Sequence, residues 1–258
     1  MPSPRELLPR PFLRQAARGD VSAACPAHAA QRQLLKEPKK GGYLMNSLDG
    51  FAKARIDNQL PKPKVVGIGG SPRKNGNSDV LLRHILHGAR ENKVLVEGIC
   101  LRDYEYQSCI GCEKCRKDKI CTGLHDGMSL LYPKILESRG LVVVSPTYNY
   151  NVTAWIKAFI DRLYCFYNFN NNRPRGWSSH LSGQGRKAVL AAVCEQVDKE
   201  DMGYTLDAMR RPIEALGYEI IGELPVLGVF DRGKVKEKKE ILAEASNLGA
   251  DLAEHLLL

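Results

Sequence analysis

The sequence predicts an α/β fold in which five parallel strands form a doubly wound sheet covered by helices on both faces. Three observations carry that expectation. From Pro61 onward, short runs rich in Val, Ile and Leu alternate with longer segments whose apolar residues recur at helical spacing. The strand runs are continuously apolar rather than alternating, as in strands buried on both sides. The turns after the first and third strands are dense in Gly, Pro, Asn and Ser, where such a sheet carries its ligand.

The elements follow in order. KVVGIGGS at 64–71 reads as strand one, and Val80, Leu81, Ile85, Leu86 and Ala89 share one face of a helix over 78–91. Strand two, 94–101, runs into a cysteine-rich loop at 106–128. A helix over 128–136 leads to strand three, GLVVVS at 140–145. In a helix over 152–166, Val152, Trp155, Ile156, Phe159, Ile160 and Leu163 fall at helical spacing. Residues 168–185, rich in Asn, Arg, Ser and Gly, read as a long irregular loop. Strand four is KAVLAAVC at 187–194, a helix spans 202–216, and strand five covers 219–229. Ile241, Ala245, Leu248, Leu252 and Leu256 make the closing helix amphipathic. This alternation fits the flavodoxin-like strand order 2-1-3-4-5, with its switch point between strands one and three.

Residues 1–60 break the pattern. Pro2, Pro4, Pro9, Pro11, Pro26 and Pro38 interrupt any helix, and the stretch reads as a disordered or loosely docked basic extension to a domain at 61–258. Met45 is a candidate start. Glu6, Asp20 and Glu37 count against a mitochondrial-type leader, and the lack of a continuous apolar stretch counts against a secretory signal. Ten Lys/Arg against five Asp/Glu in this segment account for +5 of the +9 net charge. The remainder forms no basic stripe with interleaved aromatics, so nucleic acid is not the expected partner. No apolar run approaches the ~20 residues that cross a bilayer, so no membrane partner is expected. The scattered Cys25, Cys100, Cys165 and Cys194 suit a reducing compartment, the cytoplasm, better than a disulfide scaffold.

The remaining four cysteines form SCIGCEKCRKDKIC, with Cys109, Cys112, Cys115 and Cys121 spaced C-x2-C-x2-C-x5-C. Thiolates so close repel one another unless a cation or cluster takes up their charge. Short x2 steps are common in the ligand sets of [4Fe–4S] centres, whereas structural zinc more often takes two C-x2-C pairs across a longer spacer. The run points to a redox protein, with zinc as the alternative.

After strand one, GGSPRKNGNS (69–78) offers Ser71, Asn75, Asn77 and Ser78 on a glycine-freed backbone at a helix N-terminus, with Arg73 alongside. That is an anion site, or on the plainer reading a solvated turn with an Asn/Ser cap. Gly67 and Gly69 begin G-x-G, but Pro72 occupies the third glycine position of a dinucleotide loop, and no Gly-Lys-Ser/Thr follows. A monophosphate such as that of FMN fits better. After strand three, Pro146, Thr147, Tyr148, Asn149, Tyr150 and Asn151 supply amides, hydroxyls and rings where a planar heterocycle would lie, or else form a polar turn.

Taken together, SPRKNGNS, SCIGCEKCRKDKIC, SPTYNYN and KAFIDR resemble the iron–sulfur flavoproteins of the NAD(P)H-dependent FMN reductase superfamily, over residues 64–258. The resemblance implies that Cys109, Cys112, Cys115 and Cys121 ligate a [4Fe–4S] cluster. It implies that Ser71, Arg73, Asn77 and Ser78 hold the FMN phosphate, and that Pro146 to Asn151 line the ribityl chain and isoalloxazine. It also implies a homodimer or homotetramer with the cluster loop near a subunit interface, beside the flavin of a neighbouring chain. Two departures stand out: His125-Asp126-Gly127 where relatives tend to carry adjacent aspartates, and Asn149-Tyr150 where relatives often have Gly.

The expected activity is an FMN-dependent oxidoreductase or electron-transfer flavoprotein, taking electrons from NAD(P)H or ferredoxin and passing them to a small-molecule or protein acceptor. The alternatives are a quinone or aromatic-substrate reductase whose cysteines hold zinc or nothing, and a non-enzymatic redox sensor. No general acid or base is assigned; His125 reads as a surface histidine, and Cys194 as a packed strand-end thiol.

Overall fold

A computed structural model describes residues 62–258; the proposed N-terminal extension and Met45 lie outside the described residues. The five long strands are β1 (Lys62–Gly69), β2 (Leu95–Cys100), β3 (Ser138–Pro146), β6 (Arg186–Val193) and β7 (Tyr218–Val226). All neighbours pair in parallel, in the order β2-β1-β3-β6-β7. The consecutive order 2-1-3-4-5 is corrected by two short strands between the third and fourth strands of the sheet. These are β4 (Tyr167–Phe169) and β5 (Trp177–Ser179), which pair antiparallel with each other in a separate ribbon. They lie in the segment expected to be irregular. Three residues each give no readable periodicity. Their rings supply the order instead, Tyr167 and Trp177 meeting edge to face at 5.3 Å.

The helices are α1 (Asn77–Glu91), α2 (Lys114–Asp118), α3 (Tyr132–Glu137), α4 (Ala154–Arg162), α5 (Thr205–Ala215) and α6 (Lys239–Leu257). Val80, Leu81, Ile85, Leu86 and Ala89 of α1 pack with Ala245, Leu252 and Leu256 of α6 against Val65, Val142 and Val189, one face of the sheet. Ile156, Phe159 and Ile160 of α4, with Met209 and Ile213 of α5 and Ile135 of α3, cover Val66, Ile68, Val143 and Leu190 on the other. Alternate residues of one strand thus enter opposite cores, which is why the central runs are apolar throughout. The helix expected over 152–166 is α4 followed by a 3-10 turn at Leu163–Phe166, and that expected over 128–136 is a 3-10 turn at Gly127–Leu130 followed by α3. Among the described residues, no helix is long and apolar enough to cross a membrane.

Candidate functional site

The chain leaves β1 for β2 on one side and returns to β3 on the other, so the carboxyl ends of β1 and β3 flank the switch point. Both ligand-type loops lie there and are tied together. Gly70 N–H donates to the Val144 carbonyl at 2.9 Å, and Thr153 Oγ1 donates to the Gly70 carbonyl at 2.9 Å. A Cβ on residue 70 would overlap Ile156 Cγ1, so only glycine allows this approach. Thr153 also caps α4, accepting from Ile156 N–H. The Thr-before-apolar-run signal was readable in the sequence, and this residue was missed.

The turn at 71–79 is shaped by a buried ion pair. Arg102 grips Asp79 with two hydrogen bonds, at 2.9 and 2.8 Å, and donates to the Ser71 carbonyl at 3.0 Å. Asp79 in turn accepts from Asn75 N–H at 2.7 Å, holding Asn75 at a left-handed φ of 57°. No side chain caps the N-terminus of α1, leaving its first N–H groups available to an anion. The one acidic side chain in that first turn is Asp79, whose charge Arg102 offsets. Ser71 and Ser78 are buried beside this turn. Asn77 instead brackets the 230–235 segment, donating to the Asp231 carbonyl and accepting from Val235 N–H. Arg73 stacks over Phe230 at 4.5 Å and donates to its carbonyl. These residues fit a phosphate through backbone N–H groups and the two serines, with Asn77 and Arg73 shaping the rim.

Residues 148–151 form a two-residue hairpin in which Tyr148 and Asn151 exchange backbone hydrogen bonds of 2.8 and 3.0 Å. Asn149 and Tyr150 both have positive φ, 46° and 61°, the pattern of a type I′ turn. Tyr148, Asn149 and Tyr150 are exposed beyond the carboxyl end of β3, and Tyr204 N–H holds the Tyr150 carbonyl at 2.8 Å. Thr147 faces Thr205 (Oγ1 to Oγ1, 3.1 Å), and Pro146 ends β3. Cys194 is buried, its backbone paired with Val226 and Val229, as a packed strand-end thiol.

Cys109, Cys112, Cys115 and Cys121 line one open cavity of about 380 Å³, together with Gly123, Leu124, Arg162 and Tyr164. The Gly123 backbone lies directly against Cys112 Sγ. Burial first, then the neighbouring Cys121, Cys109 and Cys112, push the Cys115 thiol up to about 11. That mutual penalty is what a shared cationic body would relieve. Among the described residues, no three His, Cys, Asp or Glu converge as a single metal ion requires. The loop is pinned by Arg162, the last residue of α4. It bonds both Asp126 oxygens, at 2.7 and 3.0 Å, and the Gln107 carbonyl at 2.9 Å. Asp126 also accepts from Gln107 N–H and Met128 N–H. The His-Asp-Gly departure therefore supplies the loop's anchor. Arg116 donates to Tyr164 Oη and lies over the Phe169 ring at 4.7 Å, joining the cysteine segment to the β4–β5 ribbon.

Residues 63–194 match the family described as NADPH-dependent FMN reductase. An iron–sulfur flavoprotein of Archaeoglobus fulgidus is 32% identical over 191 residues, covering 74% of this chain and 79% of that one. One from Methanocaldococcus jannaschii is 38% identical over 99 residues, covering 38% of this chain and 51% of its own, so the match spans about half that relative's length. An FMN-dependent NADH-azoreductase of Bacillus anthracis, solved with FMN, superposes at TM-score 0.56 and 17% identity over 74% of this chain and 99% of its own. An NAD(P)H:quinone oxidoreductase of Methanothermobacter marburgensis does so at 0.55 and 17%, over 74% and 100%. Those two likenesses show the fold alone. The family match over half the chain and the 191-residue relative together establish that this chain belongs to the NADPH-dependent FMN reductase family, among the iron–sulfur flavoproteins.

Proposed function

We propose that the chain is an FMN-dependent oxidoreductase that also carries a [4Fe–4S] cluster and couples two-electron to one-electron partners. The observation that carries this reading is the placement of α4. Its N-cap, Thr153, closes the two loops at the switch point, and its last residue, Arg162, closes the cysteine loop. At ~1.5 Å per residue, nine residues separate the two ends by about 14 Å. When bound, FMN exchanges one or two electrons and the cubane one at a time, which is the chemistry such coupling needs.

The chain's own residues bind and orient. The uncapped α1 N-terminus with Ser71 and Ser78 would receive the phosphate, and Pro146 to Asn151 would line the rest of the flavin. Cys109, Cys112, Cys115 and Cys121 would ligate the cluster. All four thiols line the same cavity, and their short x2 spacing favours a cubane over one zinc ion. Tyr148, Tyr150 and Tyr204 are exposed around the 148–151 hairpin, a surface suited to a flat acceptor. NAD(P)H or ferredoxin is the donor in this reading. A homodimer or homotetramer belongs to the same reading.

Adding NADPH, NADH or reduced ferredoxin under anaerobic conditions and following the flavin absorbance tests the reading. One of them bleaches the flavin and then the cluster band. Protein whose flavin no donor reduces would contradict it.

A further inference from the structure

We propose that Arg102 makes the 71–79 turn selective for phosphorylated over unphosphorylated flavin, by neutralising oxygens there that would repel a phosphate. This deepens the functional reading above and rests on it. A site for a dianion has to suppress negative ends of its own. This turn holds two, the Asp79 carboxylate in the first turn of α1 and the Ser71 carbonyl. One guanidinium engages both. Its terminal nitrogens reach Asp79 Oδ1 and Oδ2 at 2.9 and 2.8 Å, and one of them also reaches the Ser71 carbonyl at 3.0 Å.

Burial gives the pair its weight. The Asp79 side chain is 3% exposed and that of Arg102 12%, so solvent screens their charges little, and an unpaired Asp79 would repel a neighbouring phosphate. The Cys100 thiol, pushed up to about 11 chiefly by burial, adds no negative charge at neutral pH. Asp103 lies 4.0 Å from Arg102 Nε but is 28% exposed, where water screens it more. Arg73, the arginine within the turn, is drawn to Phe230, over whose ring it stacks at 4.5 Å. Ser71 Oγ accepts from Arg73 N–H at 3.2 Å, which keeps the hydroxyl proton for a ligand. Arg102 acts through Asp79 and Ser71, as a positioning residue.

The test titrates the full chain, freed of its flavin, with FMN and with riboflavin, which lacks the phosphate, and follows flavin fluorescence. Wild type prefers FMN. R102Q strands the Asp79 charge, so FMN binding weakens about tenfold or more while riboflavin binding stays within about twofold. R102K keeps a cation beside Asp79 and retains more of the preference than R102Q. D79N removes the repelling charge and leaves the guanidinium, so it binds FMN at least as tightly as wild type. A clasp that merely shapes the turn predicts that R102Q and D79N weaken FMN alike, or that both flavins weaken together. Either result overturns the proposal. Should R102Q fail to fold, the D79N titration decides. Wild type that binds riboflavin as tightly as FMN overturns it as well. Wild type that binds neither flavin contradicts the functional reading beneath it, which is a separate failure.

Discussion

Thr153 Oγ1 donates to the Gly70 carbonyl at 2.9 Å across 83 positions of sequence, joining the β1 loop to the first turn of α4. The bond does two jobs, since the same oxygen caps the helix. Thr153→Val keeps the shape and removes both. The lost cap costs about 1 kcal/mol, and the stranded carbonyl adds about 1 kcal/mol more. Urea unfolding reads that destabilisation, and titration of FMN fluorescence reads an affinity weakened about tenfold, ~1.4 kcal/mol. Unchanged FMN affinity in a destabilised variant would separate the bond from the cofactor site.

Tyr150 stands at φ 61°, where a non-glycine residue is strained by about 1 kcal/mol. Asn-Gly is the favoured pair for such a hairpin, so Tyr150→Gly raises the melting temperature. It also removes an exposed ring from the loop proposed to line the flavin, and FMN binding weakens. A variant that gains stability without losing affinity places Tyr150 outside the cofactor's reach.

Much of this was legible in the chain. Val142 and Val143 sit side by side in a run whose alternate members enter opposite cores, and a run apolar at every position is the mark of a central strand. The β4–β5 ribbon was not legible, because three-residue strands carry no period and their pairing rests on Tyr164, Tyr167, Phe169 and Trp177 meeting in space. The candidate site divides the same way. Its loops announced themselves through Gly, Asn and Cys spacing. Their fixings did not, since Arg102 lies 23 positions from Asp79 and Arg162 lies 36 from Asp126. Asn77, read as a phosphate contact, turns inward to the 230–235 segment, a destination no local pattern could indicate.

Glu97 lies between Lys64, at 2.8 Å, and Lys134 at the opposite end of the sheet from the site. Burial works against its charge, but the hydrogen bonds from Lys134 and Lys64 outweigh it and its pKa is lowered. The stabilisation is therefore complete above the usual carboxylate range and is lost as pH falls below 4.5 through the folded-state value. Glu97→Gln lowers the urea midpoint at pH 7 by an amount worth about 1 kcal/mol, and the loss shrinks as pH falls through the folded-state value. A loss that does not change with pH would assign the effect to packing.

Cys112→Ala removes one of the four thiols proposed to ligate the cluster, on an exposed loop segment. Iron and sulfide fall to background, while the flavin spectrum and FMN affinity stay within about twofold of wild type. Simultaneous loss of both cofactors would mean that the two sites are one.

The central claim is that the four thiols around the cavity hold an iron–sulfur cubane in a protein that also binds FMN. Anaerobically isolated wild-type protein, assayed for iron, acid-labile sulfide and flavin, tests it most directly. The account predicts about four iron and four sulfide per chain, with one FMN. Folded, FMN-bound protein with neither iron nor sulfide would contradict it.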